Sequence, residues 1–337
     1  MSRSSPCPPP EWAPHSALWT AWPADAALWE EDLDGAREEV AALVLALAAE
    51  GSEGRVGDRV RVLAASEEAE TSARNMLGPD IDVVRAAYGD IWLRDTGPIF
   101  RSATTARAFR FNGWGGKYNL PGDADLSQRL AAIAEVSLQT HDFVLEGGAV
   151  EMDGQGTLIT TRECLLNPNR NPGWTQSDAE RALAEALGAE HVIWLERGLK
   201  NDHTDGHVDN LARFVGPGRV VAQSPSGPND PNADVLQEIA EALGAATDAA
   251  GRRLDVTLIP SPGRVEDEKG APMPASHMNF VIGNASVVIP TYGTTSADDG
   301  VASLQNVFPD RRVIGSPARS LLTGGGAFHC ITQQQPI

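Results

Sequence analysis

Hydrophobic and polar positions along the chain predict short strands alternating with amphipathic helices. Residues 33–50 carry apolar side chains at helical spacing and are followed by Gly51, a residue that commonly ends a helix. Residues 58–65 alternate valine with arginine, which predicts a strand. The same order returns further along, where we predict helices at 177–188, 234–243 and 301–307, strands at 191–195, 254–260 and 312–315, and a hairpin within 280–289.

Local signals mark the ends of these elements. Ser177–Glu180 fits a capping box that opens a helix ending near Gly188, and Gly244 is expected to close the next helix. The pair Gly283 and Asn284 predicts the turn of the hairpin.

The predicted strands near residues 192, 255 and 312 are roughly 60 residues apart, which indicates an internally repeated α/β architecture. No linker separates two halves of different composition. We therefore expect one domain over residues 11–337, preceded by a Ser/Pro-rich flexible arm at residues 1–10.

The formal net charge of −19 over 337 residues argues against nucleic acid or an anionic membrane as a partner, because both are polyanions. It also keeps a protein soluble, and it is compatible with a cationic small-molecule substrate. No run of about 18 apolar residues occurs, so no membrane span is expected.

Three cysteines lie far apart, and no Cys-x-x-Cys pair occurs. This usage indicates free thiols in a reducing compartment. The first ten residues contain no apolar core of a signal peptide, so the cytoplasm is the expected location.

The segment 201–210 concentrates His203, Asp205, His207 and Asp209 at alternate positions. A strand here would place all four on one face. Such a face suits either a zinc or iron site or an acid/base histidine beside a carboxylate that binds a cation. A polar loop at a strand end is the third interpretation.

A run of three glycines, 324–326, precedes Cys330 by four residues. Glycines let the backbone pass close to a bound molecule, which would place the thiol beside a substrate. The alternative is a cysteine buried as a small apolar side chain. The polar residues 332–334 on its other side favour the functional interpretation.

Two further carboxylates stand at strand or turn boundaries, Asp95 before Thr-Gly-Pro and Glu146 before two glycines. Each is compatible with a simple turn. Taken with Cys330, His207 and Asp209, they fit a guanidinium, which is planar, cationic and matched by carboxylates two hydrogen bonds at a time. Carboxylates raise the pKa of a nearby thiol, and a bound cation offsets that effect.

These residues lie in motifs that resemble those of agmatine deiminases, within the guanidine-modifying group that also includes bacterial peptidylarginine deiminases and arginine deiminase. The resemblance runs over almost the whole chain, through the segments 10–15, 20–23, 92–98, 111–118, 145–148, 164–172, 204–210 and 324–336. It implies a pseudo-fivefold α/β propeller of repeated ββαβ units around a central active-site channel.

The resemblance also implies roles for individual residues. Cys330 would be the nucleophile, His207 the acid/base residue, Glu146 an orienting residue, Asp95 and Asp209 the guanidinium ligands, and Trp92 and Trp114 candidate walls of the channel. Ordinary core packing is the alternative for both tryptophans. Cys164 lies in a matching motif without an arguable role and is expected to be structural, while His203 stands where other members often carry an acidic residue.

The implied reaction hydrolyses agmatine to N-carbamoylputrescine and ammonia through a covalent thiouronium on Cys330, with no cofactor and no metal. A homo-oligomer is compatible with this interpretation. The alternatives are a peptidylarginine deiminase acting on protein arginine and a metal-dependent hydrolase that uses the face formed by His203, Asp205, His207 and Asp209.

Overall fold

The computed structural model describes residues 7–51 and 54–337. Within these residues, sixteen strands form five small sheets, and helices connect the strands. Four sheets contain three strands that follow one another along the chain. Their bounds are β4 Ile99–Ser102, β5 Thr105–Arg110 and β6 Ser137–Val144; β7 Glu151–Met152, β8 Thr157–Thr161 and β9 His191–Leu195; β10 Ala212–Gly216, β11 Arg219–Ser224 and β12 Asp255–Pro260; and β13 Val281–Ile282, β14 Ser286–Thr291 and β15 Arg312–Pro317.

Each of these four sheets repeats one topology. The first two strands pair antiparallel, and the third strand joins the second in parallel. A parallel pair requires a crossover, and a helix provides it in every case. The unit is therefore ββαβ, which confirms the predicted α/β repeat; the strands predicted near 192, 255 and 312 are its third strands, β9, β12 and β15.

The remaining sheet joins the two ends of the described chain. Its order is β16-β1-β2-β3, with β1 His15–Ala21, β2 Val60–Ala64, β3 Asp82–Arg85 and β16 Thr332–Pro336. β16 pairs antiparallel with β1, so that Thr20 lies opposite Thr332, while β1, β2 and β3 are parallel. The last strand thus completes the first unit and closes a ring of five.

The crossover helices are α2 Leu33–Ala48, α3 Glu67–Leu77, α6 Leu126–Ile133, α8 Gln176–Leu187, α9 Ala233–Ala245 and α10 Ala297–Val307. Single turns or slightly longer segments are α1 Ala26–Trp29, α4 Leu93–Thr96, α5 Gly113–Gly116, α7 Arg162–Leu165 and α11 Arg319–Thr323. No helix among the described residues has the length and apolar character needed to cross a membrane.

Helix α2 shows how the sequence pattern places an element. Val40, Leu43, Val44 and Leu47 form its apolar stripe and are fully buried in the cluster that also contains β1 and β2. Burying one such side chain stabilises the fold by about 1.5–3 kcal/mol. Truncating Leu43 to alanine would therefore cost about 2–5 kcal/mol, because a cavity remains.

Several predicted ends need correction. The capping box of α8 is formed by Thr175 and Asp178, whose side chains each accept the other's backbone N–H, and not by Ser177–Glu180. Gly188 ends that helix as predicted, with a left-handed φ of 71°. Gly244 does not end α9, which continues to Ala245. Helix α10 starts earlier than predicted, because residues 297–300 form its first turn.

Residues 1–6 of the predicted arm lie outside the described residues. Its remainder, residues 7–10, lies against the loop at Gly154, where a Cβ atom on the glycine would meet Pro10 Cδ at 2.4 Å. Pro8 is buried in this contact region.

Candidate active site

The five units of the ring bring one short segment each to a common centre. Each segment immediately precedes the first strand of a sheet. These segments carry the residues Asp95 before β4, Glu146 before β7, His207 and Asp209 before β10, Asn279 before β13 and Cys330 before β16. The repeat therefore brings six polar side chains of five residue types, each just before the first strand of its sheet, around one point.

Cys330 is 4% exposed and lines a cavity of about 320 Å³. Its Sγ accepts a hydrogen bond from Asn279 Nδ2 at 3.0 Å and lies 3.7 Å from Asp209 Oδ2. The cavity is lined by Leu28, Trp29, Glu30, Glu31, Asp32, Asp90, Trp92, Asp95, Trp114, Tyr118, Leu120, His203, Thr204, Thr323, Gly324, Gly325 and Cys330. It combines aromatic walls with an acidic lining.

Asp95 is fixed by two donors. Its Oδ1 accepts the backbone N–H of Gly148 at 2.9 Å, and its Oδ2 accepts Trp114 Nε1–H at 2.9 Å. The approach of Gly148 requires glycine, since a Cβ atom there would lie 2.6 Å from His207 Nδ1. The second glycine of the Glu-Gly-Gly segment thus brings a backbone donor to the carboxylate.

Asp209 lies on a short 3₁₀ turn, Val208–Asn210, and is fully buried. Its Oδ2 accepts a hydrogen bond from His329 Nδ1 at 2.7 Å, while its Oδ1 has no hydrogen-bond partner among the described residues. Burial raises the pKa of Asp209, but His329 and His207 outweigh that effect and bring the pKa below its usual range. A buried, ionised oxygen of this kind can accept a hydrogen bond from a bound ligand.

His207 is fully buried, and its Nδ1 lies 3.6 Å from Asp95 Oδ2. Burial alone would lower the pKa of His207, but the adjacent Asp95 carboxylate, Cys164 and Glu146 raise it well above its ordinary value. The imidazole is therefore available as a proton donor at neutral pH.

Glu146 is also buried and accepts a hydrogen bond from Arg170 Nε at 2.7 Å. Its carboxylate, the Cys164 sulfur and a ring nitrogen of His207 lie within 4.8 Å of one another. Cys164, expected to be structural, is thus a direct neighbour of His207. Among the described residues this trio is the one group of metal-ligand side chains this close together, but the Arg170 guanidinium already compensates Glu146 and disfavours a dication.

The single face that a strand at 201–210 would give to His203, Asp205, His207 and Asp209 does not form. The segment forms turns and not a strand, because Asp205 has a φ of 62° and Gly206 a φ of 86°, both in the left-handed region. Asp205 binds Lys117 Nζ at 2.6 Å, and His203 stacks on Tyr118 at the cavity wall.

Trp92 and Trp114 both line the cavity and are mostly buried. Trp92 donates from Nε1 to Asp90 Oδ2 at 2.8 Å, and Trp29 donates to the other oxygen of the same carboxylate at 3.1 Å. The indoles of Trp29 and Trp92 stack with ring centroids 6.1 Å apart. One carboxylate thus orients two aromatic walls, suited to the methylene chain of an elongated ligand.

The thiol of Cys330 is poorly ionised in this environment. Burial raises the pKa of Cys330 well above its ordinary value, and the carboxylates of Asp209 and Asp95 raise it further. A bound cation between these groups would favour the thiolate by the same electrostatic argument.

Four residues of the site went unrecognised in the sequence. Asn279 and His329 contact the nucleophile or its neighbour Asp209, and Asp90 and Trp29 shape the wall. Asn279 lies two residues before β13, as Cys330 lies two residues before β16, so a comparison of the units points to it. His329 is adjacent to Cys330 within the glycine-run motif.

Comparison with known proteins connects this geometry to a family. The profile of the Porphyromonas-type peptidyl-arginine deiminase family matches residues 7–336. Agmatine deiminase of Stutzerimonas stutzeri is 38% identical over 355 residues, covering 97% of this chain and 95% of that protein. Agmatine deiminase of Pseudomonas aeruginosa is 36% identical over 355 residues, with coverage of 97% and 95%.

Solved structures agree in fold. Agmatine deiminase of Enterococcus faecalis superposes with a TM-score of 0.91 at 30% identity, over 100% of this chain and 98% of that chain. A cysteine-to-serine variant of C. jejuni agmatine deiminase with substrate bound gives a TM-score of 0.88 at 26% identity, over 99% and 97% of the two chains. These matches confirm the pseudo-fivefold α/β propeller.

Proposed function

The chain belongs to the Porphyromonas-type peptidyl-arginine deiminase family, and from this premise we propose that it is an agmatine deiminase, a hydrolase that converts agmatine and water to N-carbamoylputrescine and ammonia. Named agmatine deiminases match it at 36–38% identity over nearly their full length. The alternative substrate is peptidylarginine, which the family's name contains. The relatives matched over nearly their full length are agmatine deiminases and support agmatine, a small dication.

One observation carries the chemistry of this proposal. The Cys330 thiol lines a cavity with tryptophan walls and lies beside Asp209, whose Oδ1 has no partner within residues 7–51 and 54–337. A planar guanidinium that donates to carboxylate oxygens would present its electron-poor carbon to the sulfur. The indoles of Trp92 and Trp114 would flank the methylene chain.

The reaction then proceeds in two halves. As the guanidinium binds, the Cys330 thiol releases its proton to solvent. The thiolate attacks the guanidinium carbon, a C–S bond forms and the C=N π bond breaks. His207 donates a proton to one nitrogen, the C–N bond breaks and ammonia leaves, which gives a thiouronium. His207, now neutral, takes a proton from water, and the hydroxide adds to the same carbon. The C–S bond then breaks to release the thiolate, and the remaining hydroxyl proton passes to solvent, which leaves the neutral ureido product.

The carboxylates have separate tasks in this scheme. Asp95 and Asp209 would bind the guanidinium N–H groups and hold the carbon against the sulfur. Glu146, itself held by Arg170, would orient His207 and stabilise its protonated form. The distal ammonium of agmatine would lie near the acidic rim formed by Glu30, Glu31 and Asp32.

The proposal is tested by incubating the purified protein with agmatine and measuring ammonia together with the ureido product by mass spectrometry. We expect stoichiometric formation of both, and none from the Cys330→Ser variant. Release of urea in place of ammonia, or no turnover at all, would contradict the proposal. Cytoplasmic location and the formation of a homo-oligomer remain predictions.

A further inference from the structure

His329, the residue before the nucleophile, lies between two buried carboxylates. Its Nδ1 is 2.7 Å from Asp209 Oδ2, and its Nε2 is 2.9 Å from Glu11 Oε2. Carboxylate oxygens only accept hydrogen bonds, so both contacts are satisfied only when both ring nitrogens carry a proton. A neutral ring would turn one lone pair toward an anionic oxygen.

Glu11, the partner of His329 Nε2, is itself fixed by hydrogen bonds. Its Oε1 accepts the backbone N–H of Ile282 at 2.7 Å, and its Oε2 accepts from the Arg213 guanidinium. Arg213 is fully buried and binds Glu151 with its Nε at 3.0 Å. Burial raises the pKa of Glu11, but Arg213 and His329 lower it well below the usual range.

The backbone of His329 is fixed as well. Its N–H donates to Asn279 Oδ1 at 2.9 Å, and its carbonyl accepts from Arg94 Nε at 3.3 Å. The ring therefore has little freedom to leave the line that joins Glu11 to Asp209. The contact between His329 and Glu11 joins two residues that are 318 positions apart in the sequence, Glu11 before β1 and His329 next to the nucleophile.

We propose that His329 is a positioning residue of the deiminase site: as an imidazolium held by Glu11, it binds Oδ2 of Asp209 and leaves Oδ1 for the substrate guanidinium. The inference rests on the proposed function. Its positive charge also offsets the crowding of Asp95, Asp209 and the thiolate, three anions around one point. Without it, Asp209 would lose the partner that keeps it ionised and aligned.

Two matched variants separate positioning from packing. His329→Asn keeps an N–H donor near the position of Nδ1, facing Asp209, whereas His329→Gln keeps one near the position of Nε2, facing Glu11. Loss of a hydrogen bond to a charged partner corresponds to about a tenfold to hundredfold effect. We expect kcat/KM for agmatine to fall by that factor in His329→Gln and by less than about tenfold in His329→Asn.

A purely structural role predicts a different pattern. The two variants would then lose activity equally, or in proportion to their loss of thermal stability, and the asparagine variant would show no advantage. Either result would overturn the proposal. The melting temperature of both variants is measured in parallel for this comparison.

A second measurement does not depend on agmatine turnover. Chloroacetamidine and chloroacetamide are near-isosteric alkylating agents that differ in charge, and mass spectrometry identifies modification at Cys330. The ratio of the two alkylation rates at Cys330 measures how strongly the carboxylates of the site favour a planar cation over its neutral analogue. We expect wild type to favour the amidinium, His329→Gln to lower the ratio at least about tenfold, and His329→Asn to stay within about threefold.

These results distinguish the two levels of inference. Wild-type protein without agmatine turnover but with the expected ratios would refute the proposed substrate and support the role of His329. Agmatine turnover by the wild type, together with an unchanged ratio of alkylation rates in His329→Gln, would support the proposed substrate and refute the role of His329. Should the variants fail to fold, nitrogen NMR of wild type decides: two protonated nitrogens on His329 at neutral pH support the inference, and a neutral ring rejects it.

Discussion

The Sγ of Cys330 lies 3.7 Å from Oδ2 of Asp209, within the distance at which a thiol donates to a carboxylate. The same carboxylate accepts from His329 on the oxygen nearest the sulfur. The resting nucleophile is therefore a neutral thiol next to an anion, and its activation requires a positive charge that enters with the ligand.

Replacing the nucleophile should abolish turnover. Cys330→Ser is expected to retain less than about 1% of the wild-type rate with agmatine, because a serine hydroxyl is a much weaker nucleophile without a strong base at this position. Ammonia release under saturating substrate measures the effect. Cys7→Ser is the matched control and should keep wild-type activity, since Cys7 lies in the loop contact at Gly156, outside the cavity lining. Substantial activity of Cys330→Ser would refute the assignment.

A cationic ligand should lower the pKa of Cys330. In the free enzyme, burial and two carboxylates raise that pKa, so thiolate absorbance should appear only on the alkaline side of the ordinary cysteine range. A guanidinium that the enzyme does not turn over should shift the titration toward lower pH, since it favours the anionic form. Ultraviolet titration with and without the ligand measures the shift, with Cys330→Ser as the blank. An unchanged midpoint would argue against ligand-coupled activation.

Asn279 should assist the thiolate. Its Oδ1 accepts the backbone N–H groups of His329 and Cys330, which fixes Nδ2 toward the sulfur. Asn279→Ala is expected to reduce kcat/KM about tenfold to hundredfold, and Asn279→Asp more, because it adds an anion beside the sulfur. The pH dependence of Cys330 alkylation should move to higher pH in both variants. Equal activity of Asn279→Asp and Asn279→Ala would contradict this role.

Turnover should survive EDTA and should not rise with zinc or iron. Of the trio Glu146, Cys164 and His207, the carboxylate is already paired with Arg170, so binding of a dication would oppose an existing cation. Activity assays after prolonged dialysis against chelator, combined with metal analysis, test this. A stoichiometric metal whose removal stops turnover would restore the metal hydrolase interpretation.

Agmatine should be preferred to arginine by about a hundredfold or more. The α-carboxylate of arginine would meet the acidic rim, where Glu31 and Asp32 line the cavity, and would need a cation of its own. Lys117 is bound to Asp205, and Arg94 donates to Gln334 in the interior. Specificity constants for agmatine, arginine and a blocked arginine peptide decide the matter. Turnover of either competitor within about tenfold of agmatine would contradict the assignment of substrate.

Local periodicity was sufficient for much of the fold. Helices α2 and α8 and strand β9 follow from apolar spacing. Gly188 ends α8 as predicted, whereas α2 already ends at Ala48, before the predicted stop at Gly51. The pairing of β1 with β16 could not be predicted from local pattern, because it joins segments more than 300 positions apart and depends on closure of the ring. The fivefold count came from the resemblance and is now supported by the observed sheets.

Residue chemistry predicted more of the site than periodicity did. Cys330, Asp95, Glu146, His207 and Asp209 do converge. The alternate spacing at 201–210 is compatible with a strand, but the structure forms turns there. The left-handed backbone at Asp205 and Gly206 reverses the chain and sends neighbouring side chains to different partners. An amide such as Asn279 carries no compositional signal of its own, and only its place in the repeat identifies it.

The closing pair of strands has a consequence for inactivation. Cys330 lies two residues before β16, whereas Asp95 and Asp209 precede the first strands of other sheets, β4 and β10. Local opening of the β1–β16 edge would therefore withdraw the nucleophile while the four remaining sheets, and with them most of the spectroscopic signature of the native protein, persist. Any opening confined to this edge should abolish activity while most of the native fold persists, and activity should return when β16 pairs with β1 again.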